Sequence, residues 1–156
     1  MTTIILVVIG VLLAALAALM VVFYGGDVFG RYKNEAEAGR LVSEGAQVEA
    51  AIDLYHRTTE SYPGGSDPVQ TLIDSDYLTH KPKGAKAGQW VIDYDEGFIR
   101  SSIGPSDDES SLDICRTARV QLKLPEAPTD SGVYKCDGSD APGGRLSSRE
   151  PCCIRG

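Results

Sequence analysis

Four cysteines carry the clearest chemistry in this chain, and their spacing favours disulfide bonds. They stand at Cys115, Cys136, Cys152 and Cys153. A zinc site is not indicated, because there is no C-x-x-C pair and neither His56 nor His80 lies at finger-like spacing from a pair of cysteines. The sequence therefore predicts two disulfides formed in an oxidising compartment.

The pairing of the cysteines has two solutions. Neighbouring Cys152 and Cys153 rarely bond to each other, because the vicinal ring strains the peptide bond between them. Either Cys115–Cys152 occurs with Cys136–Cys153, or Cys115–Cys153 occurs with Cys136–Cys152. In both cases the C-terminal region is fastened to the segment around Cys115.

Two acidic clusters have the residue types of a cation site. One comprises Asp107, Asp108 and Glu109, and the other comprises Asp93, Asp95 and Glu96. Acids at a helix N-terminus are a commoner explanation of the first cluster, and a polar turn is a commoner explanation of the second. We therefore expect no metal ion and no cofactor.

The composition and motifs exclude several classes of function. The chain contains no Gly-rich phosphate loop, no G-x-S-x-G and no H-E-x-x-H, so it is predicted not to be an enzyme. Its 15 Lys and Arg against 22 Asp and Glu give a formal charge of −7. This balance weighs against nucleic-acid binding, which needs a basic surface to neutralise phosphates.

The N-terminal run is apolar and uncharged, and it predicts a transmembrane helix. Residues 1–24 read MTTIILVVIGVLLAALAALMVVFY, which supplies the roughly 20 residues that a helix needs to cross about 30 Å of hydrocarbon. A signal peptide is the rival interpretation, but no basic residue precedes the run and the run is too long. A short buried core helix is the other alternative.

The predicted orientation implies an earlier leader. Arg31 and Lys33 follow the apolar run, and by the positive-inside rule they would hold that side in the cytoplasm, whereas the cysteines favour an oxidising compartment. Both observations fit if a basic leader preceded Met1, set the orientation of the helix in the membrane and was then removed. We therefore expect Met1 to be the processed N-terminus.

Downstream of the apolar run, the pattern predicts an α+β head. Apolar or small residues continue as one helical stripe to about residue 60, at Ala38, Leu41, Gly45, Val48, Ile52 and Tyr55. Turn formers at 62–68 end this helix, and a short helix is predicted over 68–78. Runs at 89–94 and 98–103 predict a β-hairpin. A short helix is expected to start at the acids within 106–109 and to continue to Val120, and short strands are expected at 132–136 and 152–154.

These elements predict three segments. Residues 1–26 are expected to form an apolar transmembrane helix, and residues 27–60 its amphipathic continuation. Residues 61–156 form a globular head whose cysteine-bracketed region begins at 115. We predict a long N-terminal helix packed on a small antiparallel sheet. The pair Gly25 and Gly26 interrupts the apolar run and is a candidate hinge or melting point, with a plain membrane-exit linker as the alternative.

This arrangement resembles the type IV pilins. The resemblance covers most of the chain. Its most specific part is the succession AAIDLY at 50–55, SYP at 61–63 and LIDSDYL at 72–78, followed by Trp90. The Met N-terminus and the long cysteine-bracketed tail are more similar to the type IVb branch, which implies N-methylation of Met1.

The resemblance implies a function and a set of packing residues. Pilins polymerise through the N-terminal helix, and the residues placed here for filament-core packing are Ile5, Gly10, Ala14, Ala15 and Ala18. The chain departs from the family pattern at position 5, where pilins usually carry a glutamate that pairs with the amino group of a neighbouring subunit. Ile5 cannot do so. Thr2, Thr3 or backbone carbonyls are then expected to neutralise the terminal charge, unless Met1 is not the mature start.

The predicted function is therefore that of a structural subunit of an extracellular type IV-like pilus, supporting adhesion, aggregation, motility or DNA transfer. Expected partners are many copies of the same chain, the inner membrane before assembly, the pilus assembly machinery and a leader peptidase. The expected location is the bacterial cell surface. One alternative is a minor pilin or secretion pseudopilin that primes assembly. The other is a membrane-anchored envelope domain that binds a ligand.

Overall fold

The structure is a computed structural model that describes residues 2–85, 89–95, 98–104 and 109–155. Within the first helix, the side chains of residues 2–4, 6, 23–29 and 31 lie outside the description. The chain forms two compact units, Met1–Lys33 and Asn34–Gly156. The predicted boundaries at 26 and 60 stay predictions.

Helix α1 spans Thr2–Thr59 and contributes to both units. In the second unit its predicted stripe faces the core, with Ala38, Leu41 and Val48 at most 1% exposed. The spacing of three and four residues places these side chains on one side of the helix, and the helix ends at Thr59, one residue before the predicted end at about residue 60. The helix ends where Glu60 adopts a positive φ of 55° ahead of Pro63.

Helix α2, Pro68–Asp74, packs against the C-terminal end of the α1 stripe. Its start has a clear cause. Asp67 caps the helix by accepting a hydrogen bond from the Gln70 amide at 3.2 Å, and Pro68 occupies the first turn, where a missing N–H costs nothing. Val69 and Leu72 are buried against Val48 and Ile52 of α1.

The predicted hairpin is present. Strand β1, Trp90–Asp93, pairs antiparallel with β2, Phe98–Ile103, and the register places Trp90 opposite Ser101 and Asp93 opposite Phe98. The chain then continues to helix α3, Glu109–Gln121, which begins with an acid in its first turn, as the helix dipole favours.

The sheet is mixed, so the prediction of an antiparallel sheet is wrong. Strand β3, Cys152–Ile154, lies beside β2 and parallel to it, giving the order β1-β2-β3. The physical reason is the connection: β2 leads through α3 and a long loop before the chain returns, and such a crossover is what parallel neighbours require. The strand predicted over 132–136 is reduced to an isolated parallel bridge between Lys135 and Ile154.

Three apolar clusters hold the second unit together. The first joins α1, α3 and the sheet, the second joins α1 and α2, and the third lies within the C-terminal tail around Tyr134 and Cys153. A 3₁₀ turn at Pro142–Gly144 is the single helical turn described in that tail. The fold of this part of the chain is therefore α+β with a small sheet and a tail that has little regular structure.

Candidate functional site

The first candidate site is an apolar surface on α1 in the first unit. Its large side chains are 47% to 74% exposed, with Val11 at 64%. No charged residue occurs between positions 1 and 26. The members are Ile5, Val7, Val8, Ile9, Val11, Leu12, Leu13, Leu16, Leu19, Met20, Val21 and Val22; we call this set the apolar surface. Exposed apolar patches of such continuity mark sites of association.

The residues predicted to pack in a filament core lie on this stretch of helix and are open. Ile5 is 58% exposed, and Gly10, Ala14, Ala15 and Ala18 are also exposed. A Cβ added at Gly10 would meet no atom within 4 Å. Their role in packing stays a prediction, while Met1, the predicted methylation site, lies outside the described residues.

Within the described ranges, no helix is long and apolar enough to cross a membrane. The transmembrane helix predicted from residues 1–24 is therefore not found there.

The predicted hinge is helical. Helix α1 continues through Gly25 and Gly26 without interruption. A glycine inside a helix costs only about 1 kcal/mol relative to alanine, which is too little to break a helix by itself. Local melting at this pair during assembly stays a prediction.

The second candidate site is the disulfide-closed tail. Both predicted disulfides are present, and the pairing is Cys115–Cys152 with Cys136–Cys153. The first bond joins α3 to β3, and the second joins the tail to β3. Because neighbouring residues of a strand point to opposite faces of the sheet, Cys152 enters the first apolar cluster and Cys153 enters the third.

A buried ion pair fixes the loop ahead of β3. Arg119 of α3 donates a hydrogen bond to the Glu150 carboxylate, and their side chains are 4% and 2% exposed. The Arg119 guanidinium also donates to the Pro125 carbonyl at 2.5 Å and lies 4.9 Å from the centre of the Tyr134 ring. Burial raises the pKa of Glu150, although attraction to Arg119 and Arg100 opposes that shift.

Arg100 of β2 completes this charged region. Its guanidinium lies 3.3 Å from the centre of the Phe98 ring and donates to the Ser147 carbonyl at 3.1 Å. Together, Arg100 and Arg119 donate hydrogen bonds to three parts of the tail, namely the Pro125 carbonyl, the Ser147 carbonyl and the Glu150 carboxylate. The sequence analysis missed this arrangement, because Arg119 and Glu150 are 31 positions apart and follow no local spacing rule.

An aromatic cluster lies at the C-terminal end of α1. The rings of His56, Tyr62 and Tyr94 form a stack with centroid distances of 4.2 and 4.6 Å, and the Tyr94 hydroxyl donates to the Pro63 carbonyl at 2.6 Å. Burial, together with Tyr55, raises the pKa of Tyr94. Because both faces of Tyr62 are covered by neighbouring rings, the stack fastens the turn at 61–65 and leaves that ring no face for a ligand.

The structure describes only part of each acidic cluster. Asp107, Asp108 and Glu96 lie outside the described residues. Asp93 and Asp95 form a local turn, in which the Asp95 amide donates to the Asp93 carboxylate at 2.9 Å. Among the side chains that are described, no three His, Cys, Asp or Glu residues group as a metal site would require.

Comparison of the chain with protein-family models, with curated proteins and with solved structures finds no match.

Proposed function

We propose that this chain is a structural subunit of an extracellular type IV-like pilus and that it polymerises through its N-terminal helix. The observation that carries the proposal is the apolar surface, whose side chains are exposed over four turns of helix without one charge. Such a surface is unfavourable in water, at about 25 cal/mol per Å² of apolar area left uncovered. Association of many copies removes that cost.

Filament growth follows from the kind of contact. One helix surface that packs against a different surface of the next copy makes a heterologous contact, and repetition of a contact that does not close gives a filament. Gly10, Ala14 and Ala18 lack bulky side chains, so neighbouring helices can approach closely.

The second unit is suited to exposure outside the cell. Its tail has little regular structure, and the two disulfides and the buried Arg119–Glu150 pair replace part of the stabilisation that a larger core would give. Disulfides persist in oxidising surroundings. The proposal therefore places the chain at the bacterial cell surface after a stage at the inner membrane, with a leader peptidase and the assembly machinery as partners.

A pair of matched substitutions tests the proposal. Val11→Asp places a charge on the apolar surface, and Val120→Asp places the same charge on an exposed valine of α3 in the second unit, where the side chain is 74% exposed. We expect Val11→Asp to abolish filaments in sheared surface material, as seen by electron microscopy, and Val120→Asp to leave them. Filaments of normal yield from Val11→Asp would refute assembly through this helix.

A priming subunit is the second candidate. Ile5 favours it, because an apolar side chain at this position cannot form the ion pair expected of a major pilin, and some minor pilins also lack the acid. The amount of the chain in sheared fibres separates the two: a bulk polymer is the main protein there, whereas a priming subunit is a trace component. A chain that stays with membranes and never enters fibres would instead support an anchored envelope domain.

A further inference from the structure

The two disulfides differ in their access to solvent. Cys115, Cys152 and Cys153 are fully buried, whereas Cys136 is half-buried. Cys136 also lines an open groove, together with Asp93, Arg100, Asp137 and Arg145. A small molecule in this groove therefore contacts Cys136, while Cys115 and Cys152 are packed among Ile103, Ile114 and Ala118.

The backbone around Cys136 does not depend on its disulfide. The Cys136 amide donates to the Ile154 carbonyl at 2.8 Å, and the Ile154 amide donates to the Tyr134 carbonyl at 2.9 Å. Strand β3 keeps its pairing with β2 and its bond to α3 through Cys152. After cleavage of the Cys136–Cys153 bond, its two sulfurs therefore stay close together, and the bond can form again.

We propose that the Cys136–Cys153 disulfide exchanges reversibly with small thiols and that Cys115–Cys152 is a stable structural disulfide. A small thiolate attacks Sγ of Cys136. A new disulfide forms between the attacking sulfur and Cys136, the Cys136–Cys153 bond breaks, and its electron pair leaves on Sγ of Cys153, which takes a proton from water.

A second thiol completes the cycle. Its thiolate attacks the sulfur added to Cys136, so that a small-molecule disulfide leaves and the Cys136 thiolate is released and protonated. Two small thiols are thereby oxidised to one disulfide, and the protein disulfide is reduced to two thiols. The loop between Cys136 and Cys153 then loses its covalent closure, while α3, β2 and β3 remain joined.

Timed reduction of the full chain in mild detergent tests this site. The chain is incubated with dithiothreitol at about pH 8, where a free thiol is partly ionised, and is then alkylated with iodoacetamide and mapped by peptide mass. We expect the Cys136–Cys153 bond to be reduced about ten-fold faster than Cys115–Cys152 or more, as reported by labelling of Cys136 against Cys115 and Cys152, at a rate proportional to the dithiothreitol concentration. In guanidinium chloride, where the chain is unfolded, the two disulfides should be reduced at equal rates.

Two results would overturn the proposal. Equal labelling of all four cysteines in the folded chain, at a rate independent of dithiothreitol, would show that both bonds open only through global unfolding. Faster labelling of Cys115 and Cys152 would reverse the assignment. The variant Cys136→Ala/Cys153→Ala should lose the fast phase, and Cys115→Ala/Cys152→Ala should keep it. Labelling of the unsubstituted chain decides the question even where a variant does not fold. Filament assembly is not needed for either outcome.

Discussion

At the scale of single residues, the loss of a charge should destabilise this protein far more at a buried position than at an exposed one. The Arg119–Glu150 pair is almost completely buried, whereas the Arg57–Asp53 pair on α1 has side chains 77% and 71% exposed. Removing one partner from a buried pair leaves an uncompensated charge in an apolar environment. Removing one partner from an exposed pair leaves a charge that water solvates.

The two pairs give a matched prediction. Glu150→Gln should lower the free energy of unfolding by about 3–5 kcal/mol, and Asp53→Asn should lower it by less than about 1 kcal/mol. Urea unfolding followed by the fluorescence of Trp90 measures both. Similar small losses in the two variants would show that Glu150 is hydrated in solution and does not fix the tail.

Asp67 gives a pH-dependent prediction. The hydrogen bond from the Lys81 ammonium is the main reason why the pKa of Asp67 lies below its usual value, and the Gln70 amide adds to the effect. Because the folded-state pKa is lowered, the carboxylate stabilises the fold above its unfolded pKa of about 3.9, and this stabilisation is lost as pH falls through the folded-state pKa.

Asp67→Asn separates the charge from the helix cap, because asparagine caps helices about as well as aspartate. The variant should be less stable than the original chain at neutral pH, and the difference should vanish in acid. Asp67→Ala should lower the free energy of unfolding by about 1 kcal/mol more than Asp67→Asn, because alanine cannot cap the helix. Unfolding curves from neutral pH to about pH 2, below the usual range for carboxylates, check both. A difference that does not change with pH would contradict the role of the charge.

At the scale of elements, the α1 stripe is the contact on which the second unit depends. Leu41 is 1% exposed in the first apolar cluster, and Leu54 on the same helix is 53% exposed. Leu41→Ala should lower the free energy of unfolding by about 2–5 kcal/mol, since it removes buried methyl groups and leaves a cavity. Leu54→Ala should change the stability by no more than about 0.5 kcal/mol. Thermal and urea unfolding would contradict this contact if both variants behaved alike.

The same elements show what the sequence could predict. The 3.6-residue period around Leu41 and the two β-type runs at 89–94 and 98–103, joined by a short turn, are local patterns, so α1 and the hairpin were predictable. The parallel placement of β3 was not, because it depends on which of two cysteine pairings forms and on a long loop with no periodic pattern. The Arg119–Glu150 pair and the stack around Tyr62 join residues far apart in sequence, and one sequence gives no sign of such contacts.

At the scale of the whole molecule, the two units have different requirements. The second unit buries its apolar residues in three clusters, whereas the twelve large side chains of the apolar surface in the first unit are 47% to 74% exposed. In the proposed filament, other copies of the chain cover these side chains. Stability of the second unit and assembly of the first should consequently respond to different substitutions.

Gly10 and Gly30, both in the first unit, test the proposed contact between copies with one substitution at two positions. Both lie on α1, and a Cβ at either would meet no atom within 4 Å. Leucine is a better helix former than glycine by somewhat less than about 1 kcal/mol, so neither Gly10→Leu nor Gly30→Leu should weaken the helix of a single chain.

If Gly10 lies where helices of neighbouring copies approach closely, Gly10→Leu holds them apart. We expect Gly10→Leu to reduce the yield of sheared filaments about ten-fold or more, because the larger side chain holds neighbouring helices apart, and Gly30→Leu to leave the yield unchanged. Equal yields from the two variants would show that the face carrying Gly10 is not the contact between copies, and assembly would then have to use another side of the helix.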